Sequence, residues 1–122
     1  MNKLLLAVLA AIGVAGCGGL SPVAFCNSFE TEVCARVYEC YDAPTRASAQ
    51  FIAAYGASQS ECESKLKSNN CATVTNDKPC TDSSTKYHSD KADACMSDIR
   101  AASCATITGG TFSSGNCDNI CS

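Results

Sequence analysis

The fold is decided by the stretch Cys26-Asn27-Ser28-Phe29-Glu30-Thr31-Glu32-Val33-Cys34-Ala35-Arg36-Val37-Tyr38-Glu39-Cys40-Tyr41. Phe29, Val33, Val37 and Tyr41 recur every four residues, with Glu30, Glu32, Arg36 and Glu39 between them, which predicts an amphipathic helix over Asn27 to Tyr41. Asn27 or Ser28 can cap its start, and acidic residues in a first turn suit the helix dipole. Cys26, Cys34 and Cys40 fall within about 120° of one another at roughly 100° per residue. They cannot pair among themselves, because eight helical residues rise about 12 Å, beyond disulfide reach. The helix is therefore expected to be bolted to other segments.

Three further helices are expected. One runs from Pro44 to Tyr55, with proline near its start, alanines at 47, 49, 53 and 54, and Gly56 as its stop. Ser58-Gln59-Ser60-Glu61 offers a capping box for another, Gln59 to Ser68, ended by Asn69-Asn70. A last long helix starts at Ser89 and reaches Ala102. Between them, 76–88 is a polar, turn-rich loop pinned by Cys80, and 109–122 is a Gly/Ser/Thr loop held by Cys117 and Cys121. An internal echo links 61–75 to 94–108 at a constant offset of 33 residues, with a cysteine, a serine two later, and Cys-Ala-Thr-Val/Ile-Thr in each copy. The match is partial. It reads as one unit used twice, a short helix opening at a cysteine and then an extended stretch, too few copies for a solenoid.

The N-terminal segment has a different character. Met1-Asn2-Lys3 precedes the apolar block Leu4 to Val14, and Ala15-Gly16-Cys17 closes it. A charged start, a short apolar run and small residues at its end make a secretory signal. The block is shorter than the roughly twenty residues that span a bilayer. Removing 1–16 leaves 106 of the 122 residues, enough for one domain, and loses one charge, Lys3. The remainder carries eight basic against twelve acidic residues, −4 in all. Scattered, mildly acidic charge argues against nucleic acid and against a basic membrane-binding face.

Val14-Ala15-Gly16-Cys17 resembles the lipobox of bacterial lipoproteins: an aliphatic residue (Leu is commoner than Val), two small ones, then cysteine. The resemblance implies that a diacylglyceryl group is attached to the Cys17 sulfur and that a dedicated peptidase cuts between Gly16 and Cys17. It also implies an extracytoplasmic chain held to a membrane by its lipid. Gly18 stands where an Asp commonly retains Gram-negative lipoproteins in the inner membrane, so the outer membrane is favoured. Residues 1–16 then form the signal peptide, 17–25 a lipidated tether whose stretch Gly18 to Ala24 reaches only about 25 Å fully extended, and 26–122 the cysteine-rich domain.

Parity agrees with this division. The chain has eleven cysteines, and setting Cys17 aside leaves Cys26, Cys34, Cys40, Cys62, Cys71, Cys80, Cys95, Cys104, Cys117 and Cys121, which can all pair in an oxidising compartment. Spacing does not give their connectivity. No Cys-x-x-Cys occurs and His88 is the only histidine, so no metal centre is expected. Without Trp, a core of Phe25, Phe29, Val33, Val37, Tyr41, Phe51, Ile52, Tyr55, Leu66 and Ile99 is thin, and covalent links must supply stability. The expected fold is mainly α: a small disulfide-stapled bundle of about four short helices with polar loops.

No catalytic residue or cofactor is expected. His88 lies in a polar loop beside Ser89 and Asp90, and no Gly-x-Ser-x-Gly, His-Glu-x-x-His or phosphate loop occurs. The carboxylate pairs Glu30/Glu32 and Glu61/Glu63 are assigned to helix first turns. Two readings remain. One is a module binding a protein, peptide or lipid, with Phe25, Phe29, Tyr38, Tyr41, Phe51 and Tyr55 as groove or core. The other is a structural cell-envelope component without a discrete ligand site. The whole chain resembles the small cysteine-rich lipoproteins predicted in many bacterial genomes, a group that carries an address and no assigned activity.

Overall fold

Ser21-Pro22 starts the main helix, which begins at Pro22, five residues before the expected Asn27. The Ser21 hydroxyl accepts from the Ala24 N–H and Pro22 takes the first position, where its missing N–H costs nothing. In the computed structural model, which describes residues 19–122, α1 is Pro22–Cys40. The expected signal peptide, Gly16 and Cys17 lie outside the described residues. Two sequence expectations change with this start. Asn27 is no cap, its side-chain amide donating back to the Val23 carbonyl, and residues 22–25 belong to the helix rather than to a tether.

The second expected helix is two. Asp42 caps α2, Ala43–Arg46, and Ser48 caps α3, Ala49–Tyr55, through the Phe51 N–H. A second cap within the segment restarts the chain on a new axis. Gly56, at φ 91°, ends α3, and its carbonyl accepts from the Tyr38 hydroxyl at 2.8 Å. Next, α4 is Gln59–Leu66, capped by Ser58; the Glu61 carboxylate reaches back to the Ala57 N–H, one residue beyond the Ser58 N–H of a standard box. A π-turn, Lys67–Cys71, extends it. The long helix is α5, Ser89–Ala101. Two short helices complete the chain, α6 at Cys104–Thr108 and α7 at Gly115–Asp118, both in stretches read as extended or loop.

The protein is thus mainly helical, with α1 as a spine and five disulfides as staples. Cys26–Cys71, Cys34–Cys62 and Cys40–Cys104 fasten α1 to the π-turn, to α4 and to α6. Cys95–Cys117 joins α5 to α7, and Cys80–Cys121 ties the polar loop to the C-terminal segment. A single antiparallel bridge, Tyr87 to Cys121, is the only β-type pairing among the described residues. Arg36 donates to the Ala102 carbonyl and to Glu39, and Arg100 meets Glu32 at 3.1 Å, holding α1 against the α5–α6 junction.

The internal echo has a geometric cause. Cys62 and Cys71, like Cys95 and Cys104, stand nine residues apart. Nine residues at about 100° each put two side chains on opposite faces of one helix. In the first copy the wider π-turn slows the rotation and brings Cys71 back to α1. In the second, the helix breaks at Ala102-Ser103, and Ser103 caps a new helix that delivers Cys104 to α1. So neither copy is a helix opening at a cysteine followed by an extended stretch. Cys62 and Cys95 are both mid-helix, and Leu66 and Ile99 hold the same place in the two copies.

The core is small: Val37, Phe51, Ala92, Met96 and Ile99 are buried around the half-cystines Cys34, Cys62 and Cys95, each at 0 % exposure. Leu66, Val33 and the other expected core aromatics are half-buried, and Ile52 is exposed. Phe51 is the hub of an aromatic cluster, with the Tyr38, Tyr41 and Tyr55 ring centres 5.4, 5.4 and 5.0 Å away. Phe51→Ala should lower the unfolding free energy by about 3–5 kcal/mol. Urea unfolding followed by far-UV circular dichroism reads this; a loss below about 1 kcal/mol contradicts the assigned packing.

Candidate functional site

The end of the molecule where α1 begins carries the most specific set of contacts. Gly19 sits at φ 70°, and a β-carbon there would stand 2.8 Å from the Ser89 side chain and 2.9 Å from the Asp93 carboxylate. Only glycine lets the chain approach the start of α5 this closely. The Leu20 N–H then donates to Asp93 at 3.1 Å, and the Leu20 carbonyl accepts from the Tyr87 hydroxyl at 2.8 Å. Burial first, and Asp93 second, push the Tyr87 hydroxyl up to about 12, so it remains a donor at any physiological pH. Residues 19 and 20 are clamped to the domain; they are not a free tether.

Beside this clamp lies an apolar cleft of about 260 Å³, lined by Pro22, Phe25, Val74, Pro79, Tyr87 and Ile120 among others. Its walls come from α1, the 76–88 loop and the C-terminal segment, and are fixed by Cys26–Cys71 and Cys80–Cys121. Phe25 stacks at a tilt on Phe29, ring centres 5.6 Å apart. The six aromatics proposed as groove or core therefore divide. Phe25 and Phe29 belong to this end, Phe25 in the cleft wall, whereas Tyr38, Tyr41, Phe51 and Tyr55 pack together at the other end of α1.

A carboxylate clasp secures one wall. The buried Ser114 hydroxyl donates to Asp98 on α5 and accepts from the Asn116 and Cys117 N–H groups, and the Asn116 side chain donates to Asp98 at 3.0 Å. These bonds, Ser114 before Asn116, hold the Asp98 carboxyl below its ordinary value. A depressed carboxyl contributes stability that is present above the ordinary carboxylate range, near pH 4, and is lost as pH falls through its lower folded value. An NMR acid titration should show the Asn116 and Cys117 amide signals moving with Asp98 at a midpoint below that of a free aspartate. Amide signals that do not track Asp98 contradict the clasp.

The other sequence candidates have structural occupations. Glu30 is not in a first turn: it stands two turns into α1, is buried at 6 % exposure, and accepts from the Asn70 side chain at 2.7 Å. The first-turn assignment assumed a helix start at Asn27, and the start at Pro22 is what displaces it. Glu32 pairs with Arg100, and Glu63 with Lys67 at 3.4 Å. The sulfurs of Cys26 and Cys71 lie near Glu30, but they are bonded to each other and offer no thiolate to a metal. The His88 ring nitrogen stands 3.3 Å from the Ser122 carbonyl oxygen. No described helix is long and apolar enough to cross a membrane.

Compared with protein-family models, with curated proteins and with solved structures, the chain matches none of them.

Proposed function

We propose that this protein is a bacterial lipoprotein: the chain is cut between Gly16 and Cys17, Cys17 carries a diacylglyceryl thioether, and the stapled helical domain is held outside the membrane. The observation that carries the reading is the cysteine ledger. Ten cysteines consume one another in five disulfides, so none is left within the chain for Cys17, the residue that closes the apolar block Leu4 to Val14. A thiol is the group the lipid transfer needs, because its thiolate is the good nucleophile there. No enzymatic role and no cofactor is assigned.

The domain acts through its surface. Ligand pockets for small molecules occupy about 300–1,000 Å³ with largely apolar walls. The apolar cleft here falls short at about 260 Å³; a hollow of about 340 Å³ between Asn27, Glu32, Lys67 and Arg100 is polar, and one of about 370 Å³ in the 77–85 loop sets Asp77, Lys78 and Asp82 into its lining. An interaction module that engages another envelope component by contact fits this surface better than one enclosing an apolar ligand. The second reading, a structural envelope component, is favoured by a different observation: Ile52 is the one exposed large apolar side chain among the described residues. Crosslinking in intact cells separates them, since a module gives one stoichiometric adduct and a coat component gives adducts of its own copies.

The address is tested by the intact mass of the membrane-extracted protein with and without reductant. The expected species begins at Cys17, carries added acyl mass, and gains ten hydrogens on reduction. A soluble, unacylated product overturns the reading.

A further inference from the structure

The geometry points to the cleft-bearing end of the domain as a membrane seat: the surface around Phe25, Pro79, Tyr87 and Ile120 rests in the headgroup layer of the bilayer that holds the lipid. This rests on lipidation at Cys17. The clamp at Gly19 and Leu20 then does most of the work. From Gly19 to Cys17 is two residues, which span about 7 Å at most. A lipidated Cys17 therefore enters the bilayer within about 7 Å of a point fixed on the domain, where a flexible tether over 17–25 would have allowed several times that distance. The fixed point is Gly19 against Ser89 and Asp93, and Tyr87, which binds Leu20, also lines the cleft.

The composition of this end suits that layer. The Tyr87 ring lines the cleft while its hydroxyl is held by the Leu20 carbonyl, so the ring adds apolar surface and leaves no unpaired polar atom there. The cleft offers apolar walls, with Asp118 the one charged residue in its lining. With no basic residue in that lining, the seat fits the glycerol and headgroup region of a neutral lipid and does not depend on anionic lipid, so raising salt should leave it in place. The acyl chains themselves belong in the bilayer, which buries every methylene, rather than in a short open cleft. The α1 axis rises about 28 Å over its nineteen residues, which carries the Phe51 cluster and Ile52 away from the seat and leaves that end to face outward.

The chain has no tryptophan, so one introduced indole reports alone. Ile120→Trp marks the cleft and Ile52→Trp the opposite end, each in the mature lipidated protein reconstituted into phosphatidylethanolamine vesicles containing a brominated phosphatidylcholine. The indole at position 120 should shift to the blue and lose most of its emission, and the indole at 52 should keep its own. Carbodiimide labelling of the unmodified protein repeats the test without a substitution: Asp118 labelling should fall on reconstitution, and that of Glu39, 65 % exposed and near the other end of α1, should not. Unquenched emission from both indoles and unchanged Asp118 labelling, in protein that still sediments with the vesicles and carries acyl mass, overturn the seat and leave the anchor standing. An intact mass without acyl groups overturns both.

Discussion

Replacing Cys34 and Cys62 together by alanine should lower the melting temperature by about 15–30 °C, from a loss of about 4 kcal/mol. Chain entropy does not single this pair out. Its sequence separation is 28 and that of Cys80–Cys121 is 41, so closing the two loops is worth about 3.6 and 3.9 kcal/mol respectively. Location decides. Both half-cystines of the first pair are wholly buried between α1 and α4, and their sulfurs are part of the little core there is. Alanine removes the link and leaves a void that packed neighbours fill only in part. The other pair joins a polar loop to the C-terminal segment, whose release leaves α1, α4 and α5 packed. Melting curves of the two double variants test the order. Equal losses, or the larger loss at Cys80–Cys121, would show that the sulfurs act only as tethers.

The residues that made the fold legible are those whose spacing repeats. The four-residue period from Phe29 to Tyr41 marks the spine, and three cysteines along one side of it require partners on other elements, which they find. The limits of that spine were harder to read, because Val23 and Ala24 continue no period and Ser21-Pro22 carries the start signal by itself. The break at Ser48 was hidden by good helix formers on both sides of it. Likewise α6 and α7 are too short for periodicity, and each exists because a serine, Ser103 or Ser114, caps a single turn beside a half-cystine. Connectivity was beyond reach for a different reason: it depends on rotation about the helices, which the π-turn alters without a compositional mark.

The candidate site was less legible still. Gly19 reads as one of a run of glycines after the apolar block, and nothing local says that its missing β-carbon makes room for Ser89 and Asp93, seventy residues on. The clamp changes what the N-terminal segment means physically. Under the proposed lipidation at Cys17, a floppy tether would decouple the domain from the membrane, whereas a clamped one fixes which face it presents. Glu30 teaches the complementary lesson. Its burial follows from the helix start and from Asn70, two facts far apart in the chain, whereas its charge alone argues for solvent.

The largest effect of all should come from Cys17→Ala, and it should leave the fold untouched. Without the thiol no thioether forms, so incorporation of labelled fatty acid falls to background and the uncut precursor accumulates. The proposed anchor that it removes would be strong. Each acyl methylene contributes about 0.8 kcal/mol, and the second chain of a diacylglyceryl group turns reversible binding into a permanent attachment. The domain, however, has no use for that sulfur, because its five disulfides are complete within residues 26–121. The variant should therefore keep its disulfide map and, after refolding of the 18–122 portion released by an engineered cleavage site, the wild-type melting temperature within about 2 °C. The two readouts make the prediction sharp. Labelling that persists removes Cys17 as the lipid site, and a rearranged disulfide map would mean that the eleventh cysteine belonged to the staples from the start.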